Sequence, residues 1–127
     1  GPGINMGDGW ETARRRGAGN DWVIVKLGAV GSVCRVEIDT AHFKGNYPDR
    51  ASVEAGHFAS DAAALDANAA WQPLLPEVKL SMDQHHYFES ELADAGPVSH
   101  ARLSIYPDGG VSRLRLFGRV VTAPDAG

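Results

Sequence analysis

Residues 22–39 read WVIVKLGAVGSVCRVEID, and hydrophobic side chains recur in them at every second position. One alternating run covers residues 23–27 and the next covers residues 34–38. A period of two places successive side chains on opposite faces of a β-strand, so each run predicts a strand with one buried face. The glycine-containing stretch 27–31 between the runs predicts a turn.

The same alternation returns near the end of the chain, at residues 102–106 and 113–116, with Pro107-Asp108-Gly109-Gly110 between them. That tetrapeptide has the composition of a tight antiparallel connection. Weaker strand patterns occupy residues 51–58, 74–80 and 85–90. Six or seven strands at this spacing predict an all-β antiparallel sandwich, of which the jelly roll is one variant.

The alanine-rich stretch 60–70 interrupts the strand pattern. It predicts either a short helix capped by Ser60 or a surface loop with one helical turn. The single cysteine, Cys34, cannot form an internal disulfide, and its place in an alternating run predicts a core residue and not a reactive thiol.

Size and charge set the class of protein. The chain has 127 residues, which predicts one domain over 1–127, with residues 1–5 as a cloning remnant or disordered edge and 121–127 as a tail. Its formal net charge of -4 argues against nucleic-acid and anionic-membrane partners. No apolar run is long enough for a transmembrane helix, and cytoplasmic localisation is expected.

Two polar clusters contain the candidate functional residues. The first, GDGWETARRR at residues 7–16, offers Trp10 as a flat apolar wall and Glu11 and Arg14 as a pair or as a grip on a polar ligand. The alternative is a salt-bridged loop that fastens the start of the chain to the sandwich.

The second cluster, DTAHFKGNYP at residues 39–48, follows directly on a predicted strand. Asp39 stands at the strand end, and His42, Lys44 and Asn46 alternate, so in an extended chain they share one face. Such a set can hold a polar substrate and move protons. The alternative is a polar rim in which Asp39 or Asn46 caps turn amides.

The remaining basic and histidine residues give weaker indications. His85 and His86 are adjacent, so in a strand they point to opposite faces and cannot both bind one metal. Arg113 follows the Pro-Asp-Gly-Gly turn and is the C-terminal arginine best placed to reach a site. No cofactor is expected, although a divalent metal held by carboxylates and carbonyls stays an open alternative.

Taken together, these segments resemble the allantoicase repeat, and the match runs from about residue 6 to residue 120. The segments that carry it are GDGWETARR (7–15), NDW (20–22), EIDTAHFKGN (37–46) and RLSIYPDGGVSRLRLFG (102–118). The resemblance implies a jelly-roll β-sandwich similar to galactose-binding domains. It also implies hydrolysis of allantoate to ureidoglycolate and urea in purine degradation.

For the site, the resemblance implies two groups of residues within the two clusters and the last strand. The catalytic candidates are Glu11, Asp39 and His42, with their individual roles unassigned. The substrate-binding candidates are Trp10, Arg14, Lys44, Asn46 and Arg113. Arg14 or Arg113 is expected to bind the carboxylate of allantoate, and Lys44 and Asn46 its ureido oxygens.

Allantoicases resemble two tandem copies of this repeat, and the chain is similar to the second copy. The expected partners are therefore allantoate and either a second repeat or further copies of the chain. Whether one repeat is active alone stays open. The alternative function is a non-catalytic jelly-roll module that binds a ligand or builds an oligomer.

Overall fold

The computed structural model describes residues 4–6, 10–15, 21–40, 49–106, 111 and 113–121, with only the backbone described at 4, 5 and 10–15. These ranges contain eight strands and one short helix. They are β1 (Ile4–Asn5), β2 (Trp10–Arg15), β3 (Asp21–Asp39), β4 (Arg50–Gly56), α1 (Asp61–Leu65), β5 (Gln72–Lys79), β6 (His85–Phe88), β7 (Pro97–Tyr106) and β8 (Arg113–Val120). Every described pairing is antiparallel, as predicted.

Strand β3 belongs to both layers of the fold. Its first part, through Lys26, pairs with β2 and β7, and β4 and β5 continue that layer. Its last part pairs with β8 from Gly31 onward and with β6 from Val36 onward, and β1 continues beyond β8. The predicted jelly-roll β-sandwich is confirmed, because the two layers share one hydrophobic core.

Both parts of β3 contribute to that core. Val25 and Leu27 enter it from the first part, and Val36 and Ile38 enter it from the last part. The buried positions thus change from odd to even numbers along one strand. Such a change requires an extra residue in the ladder, since strict alternation would turn the second set outward.

That extra residue is Cys34. Val33 lies opposite Gly118 and Arg35 lies opposite Phe117, so Cys34 has no opposing residue and forms a β-bulge. The prediction that Cys34 is a core residue is wrong, since the bulge leaves its side chain half-buried and outside the core.

The predicted turn at residues 27–31 is also wrong, because β3 continues through this stretch. The register with β7 shifts here, and the freed backbone groups bond elsewhere. Gly28 N donates to Met6 O at 3.0 Å, and Val121 N donates to Val30 O at 2.8 Å. The chain bends between the layers at this point and does not reverse.

The last two strands are not a hairpin in the described part of the chain. β7 pairs mainly with the first part of β3, and β8 pairs with its last part. In the described ranges β3 lies between the two strands, so they do not pair with each other there. The tight connection expected at residues 107–110 stays a prediction. The turn residues 107–110 lie outside the described residues.

Of the two alternatives predicted for residues 60–70, the short helix capped by Ser60 is confirmed. Ser60 caps α1, with its Oγ accepting from Ala63 N at 3.1 Å. Nowhere in the described ranges is there a helix of the length and apolarity needed to cross a membrane.

Thr40, which directly follows β3, is fully buried. It forms hydrogen bonds with the turn that precedes β6. Its backbone N donates to Gln84 O at 2.8 Å. Its hydroxyl lies 2.7 Å from Ser81 O and accepts from Gln84 N at 3.1 Å. These bonds hold the turn at 81–84 against the last residues of β3.

Further backbone bonds connect this turn to the neighbouring layer. Leu80 N donates to Asp49 O, and Asp49 N donates to Tyr106 O, each at 2.9 Å. We use the term loop end for the edge of the sandwich formed by residues 39–40, 49, 80–84 and 106. Residues 40 and 49, which flank the segment 41–48, therefore both lie at the loop end.

Replacing Thr40 with valine is expected to destabilise the fold by about 1–3 kcal/mol, because the hydroxyl of this fully buried residue, which bonds Ser81 O and Gln84 N, is then lost. Thr40→Ser keeps the hydroxyl and loses one methyl, so about 1 kcal/mol is expected. Urea denaturation of both variants measures the two free energies of unfolding. A valine variant as stable as the serine variant would contradict this assignment.

Candidate active site

The last part of β3 has a polar outer face. Val36 and Ile38 are fully buried in the core. Because side chains alternate along a strand, Glu37 and Asp39 lie on the opposite face. Two carboxylates therefore stand on the outside of the layer, next to the loop end.

Neighbouring strands place other polar side chains beside these carboxylates. Two cross-strand rows result, His85–Asp39–Arg113 and Tyr87–Glu37–Arg115. Directly opposed residues in antiparallel strands have Cβ atoms about 4.5–5.5 Å apart, so the side chains of a row interact. A cavity of about 130 Å³ is lined by the same set, Glu37, Asp39, His85, Tyr87, Arg113 and Arg115. We call it the outer cavity.

Asp39 and His85 form the shortest described ion pair of the outer cavity, with Nε2 2.6 Å from Oδ2. The Asp39 side chain is only 16% exposed, whereas that of His85 is 60% exposed. Asp39 is on the middle strand of the row, and His85 is on the outer one. The carboxylate is therefore the fixed partner, and the imidazole is the accessible one.

The second row is held by Arg35, which is also on the outer face of β3. Its Nε lies 3.1 Å from Glu37 Oε2, an ion pair that does not meet hydrogen-bond geometry. Its guanidinium carbon lies 4.6 Å from the ring centroid of Tyr87 and 5.7 Å from that of Phe117. Glu37 and Tyr87 are thus engaged by a cation from within the protein.

His86 points to the opposite face, which confirms the prediction for the two adjacent histidines. Its Nε2 accepts from Ser81 N at 2.9 Å, so Nδ1 is the protonated nitrogen that donates to Ile38 O at 3.1 Å. His86 therefore supports the backbone of the loop end, and His85 alone of the two lines the outer cavity.

Arg50 also lies near the loop end, but its charge is engaged there. Its Nη1 lies 2.9 Å from Glu77 Oε1, and its Nε lies 3.3 Å from Asp49 Oδ2. Glu77 and, to a smaller extent, Asp49 raise the pKa of Arg50 above its ordinary value. In the described ranges no three histidine, cysteine or acidic side chains gather as metal ligands.

A Ser-His-Asp cluster that has no sequence motif lies away from the outer cavity. His100 is buried, with Nδ1 2.7 Å from Ser99 Oγ and Nε2 2.8 Å from Asp61 Oδ1. The Ser99 hydroxyl is buried and also accepts from Phe58 N at 2.9 Å. The contact of His100 with Asp61 attaches α1 to β7, and the Ser99 hydroxyl attaches residues 56 and 58, at the end of β4, to β7. The cluster is therefore structural.

The structure brings together two of the residues predicted from the sequence. Asp39 and Arg113 are direct cross-strand partners and both line the outer cavity. The candidates His42, Lys44 and Asn46 lie outside the described residues.

The described residues of the first cluster, 10–15, lie beside the first part of β3. The backbones of Trp10, Glu11 and Arg14 belong to β2, which pairs with the first part of β3. Of the three, Arg14 has its β3 partner nearest the start of that strand, at Val23. Their side chains are not described.

Sequence reasoning missed four residues of the outer cavity, Glu37, His85, Tyr87 and Arg115. Each belongs to a strand pattern that the sequence reveals. The missing information was the pairing of β6 and β8 with the same part of β3, which sets these side chains beside Asp39.

Comparison with known proteins gives consistent matches. The allantoicase repeat family matches residues 1–121. A probable allantoicase from Ralstonia nicotianae is 58% identical over 120 residues, which is 93% of this chain and 36% of that protein. The chain thus spans about a third of the length of the curated relatives it matches.

Solved structures agree with the sequence matches. The crystal structure of allantoicase from Saccharomyces cerevisiae has a TM-score of 0.65 and 36% identity, covering 91% of this chain and 33% of that one. The C-terminal domain of a chitobiase from Bacteroides fragilis has a TM-score of 0.59 at 14% identity over 81% of this chain and 66% of that one, a likeness of fold alone. The chain belongs to the allantoicase repeat family.

Proposed function

We propose that this repeat is part of a cytoplasmic allantoicase, which hydrolyses allantoate to ureidoglycolate and urea in purine degradation. The family match and the relatives named probable allantoicase support the reaction. The observation that supports a site in this repeat is the outer cavity, where Asp39 stands between an imidazole and a guanidinium. This combination offers anion binding and proton transfer in one place.

The substrate has one carboxylate and two ureido groups on a single carbon. Arg113 is the proposed carboxylate ligand, because a planar guanidinium can bind both carboxylate oxygens. Arg14 is the alternative ligand for this carboxylate. Lys44 and Asn46 are proposed to bind the ureido oxygens, and Trp10 to form an apolar wall of the site.

The proposed proton-transfer residues are Asp39, Glu11 and His42. Asp39 is supported by its position in the outer cavity and its low exposure. The segment that contains His42 is flanked by Thr40 and Asp49, and both flanking residues lie at the loop end. Glu11 is supported by the resemblance of its sequence segment to the family.

A second repeat or further copies of the chain are proposed to complete the enzyme. The curated relatives are about three times as long as the match, which leaves room in them for another repeat. In this proposal the outer cavity is one wall of the substrate site and the partner repeat supplies the rest.

Urea release from allantoate by the complete gene product that contains these residues tests the proposed reaction. The expected result is one urea and one ureidoglycolate for each allantoate consumed. A folded protein that releases no urea would contradict the proposal. Thermal stabilisation by carbohydrate in such an inactive protein would instead support the ligand-binding alternative.

Arg113→Gln is expected to lower kcat/KM for allantoate in the same protein. Loss of a bidentate contact to a carboxylate costs about 2–4 kcal/mol, which is roughly a 30- to 900-fold decrease. Arg119→Gln is the matched control, because Arg119 is exposed on the same strand. It lies about 20 Å further along β8. Equal kcat/KM values for the two variants would contradict the proposal that Arg113 binds the substrate carboxylate.

A further inference from the structure

We infer that His85 is the catalytic residue that protonates the leaving nitrogen of allantoate, with Asp39 as the residue that positions it. This inference rests on the proposed function. It extends that function, because His85 was not among the site residues expected from the sequence. It also makes the part of Asp39 in proton transfer more specific, namely to hold the imidazole of His85.

The contacts of His85 support this role. Its Nε2 is 2.6 Å from Asp39 Oδ2, and its ring lines the outer cavity. None of the described residues makes a polar contact with Nδ1 of His85, and 60% of the side chain is exposed. A carboxylate that bonds one ring nitrogen fixes the orientation of the imidazole.

The other side chains that face His85 are less suited to proton transfer. Arg113 and Arg115 on β8 offer guanidinium donors, which suit anion binding. Glu37 on β3 pairs with Arg35 at 3.1 Å, and Tyr87 on β6 lies against the same guanidinium. Among the described residues that line the outer cavity, His85 is the one histidine, and imidazole is the side-chain group that most often transfers protons in enzymes.

The reaction balances with His85 in this role. The oxygen of a water molecule bonds to the central carbon of allantoate, and the bond from that carbon to one ureido nitrogen breaks. The electron pair of this bond stays on the nitrogen, and the His85 imidazolium supplies the proton that completes urea. The proton lost by the water restores the imidazolium.

The variants His85→Gln and Asp39→Asn, made in the complete gene product, test the inference by steady-state urea release. General acid catalysis contributes about 10²–10⁴-fold, so His85→Gln is expected to lower kcat by that factor. KM is expected to change by less than about threefold, since substrate binding is retained. One limb of the pH–rate profile is expected to disappear, which a merely structural residue would not cause. Asp39→Asn is expected to lower kcat and leave KM similar.

His57→Gln is the matched control, because His57 is exposed and follows β4 at the edge remote from the loop end. Its kcat is expected to equal that of the wild type. A His85→Ala variant is expected to regain urea release when free imidazole is added. Since His85 is largely exposed, its loss is expected to change the midpoint of thermal unfolding by less than about 5 °C.

A His85→Gln variant within threefold of the wild-type kcat would overturn the inference and leave the proposed function intact. A large loss of kcat with an unchanged pH–rate profile and no imidazole rescue would overturn it as well, because His85 would then act structurally. A wild-type protein that releases no urea would refute the proposed function itself.

Discussion

The fold and the candidate site both depend on the hydrogen bonding of β3 along both of its edges. The first part of the strand lies between β2 and β7, and the last part lies between β6 and β8. With both edges paired, the side chains of each part can alternate between the core and the outer face. The last part therefore buries Val36 and Ile38 and at the same time presents Glu37 and Asp39 between two strands of polar side chains.

Because of the bulge at Cys34, the last part of β3 can bury its apolar side chains and present its carboxylates on the outer face. Without an extra residue, the alternation that buries Val25 and Leu27 would bury the carboxylates of the last part and expose its hydrophobic side chains. Moving two carboxylates into the core would cost far more free energy than burying the apolar side chains yields. The sequence pattern, which has apolar residues at odd and then at even positions, is thus matched by one local defect in the ladder.

Period-two alternation was enough to predict most of the strands and the all-β class, although β1 and β2 were not predicted. The alanine-rich stretch that interrupts the alternation predicted the helix capped by Ser60. These patterns were not enough to predict connectivity. Gly28 and Gly31 have turn composition, yet the stretch stays extended because Met6 and Val121 accept and donate its backbone hydrogen bonds from distant parts of the chain. Such partners cannot be read from local sequence. For the same reason, the sequence did not reveal that β3 lies between β7 and β8.

The candidate site, like the fold, could be predicted from the sequence only in part. Asp39 and Arg113 were recognisable because each stands at the boundary between a strand pattern and a polar or turn segment. His85 was not recognisable, because its adjacent histidine suggested only opposite faces and gave no partner. The pairing of β6 with the last part of β3 supplies that partner, since it sets His85 beside Asp39.

We propose that this repeat meets its substrate at the polar outer face of the last part of β3. The most direct measurement is a crystal structure of the complete gene product carrying His85→Gln, with allantoate bound. We expect the allantoate carboxylate within hydrogen-bond distance of Arg113 and the rest of the molecule over Asp39 and residue 85. Allantoate bound elsewhere, with Glu37 and Asp39 facing only water, would contradict the account.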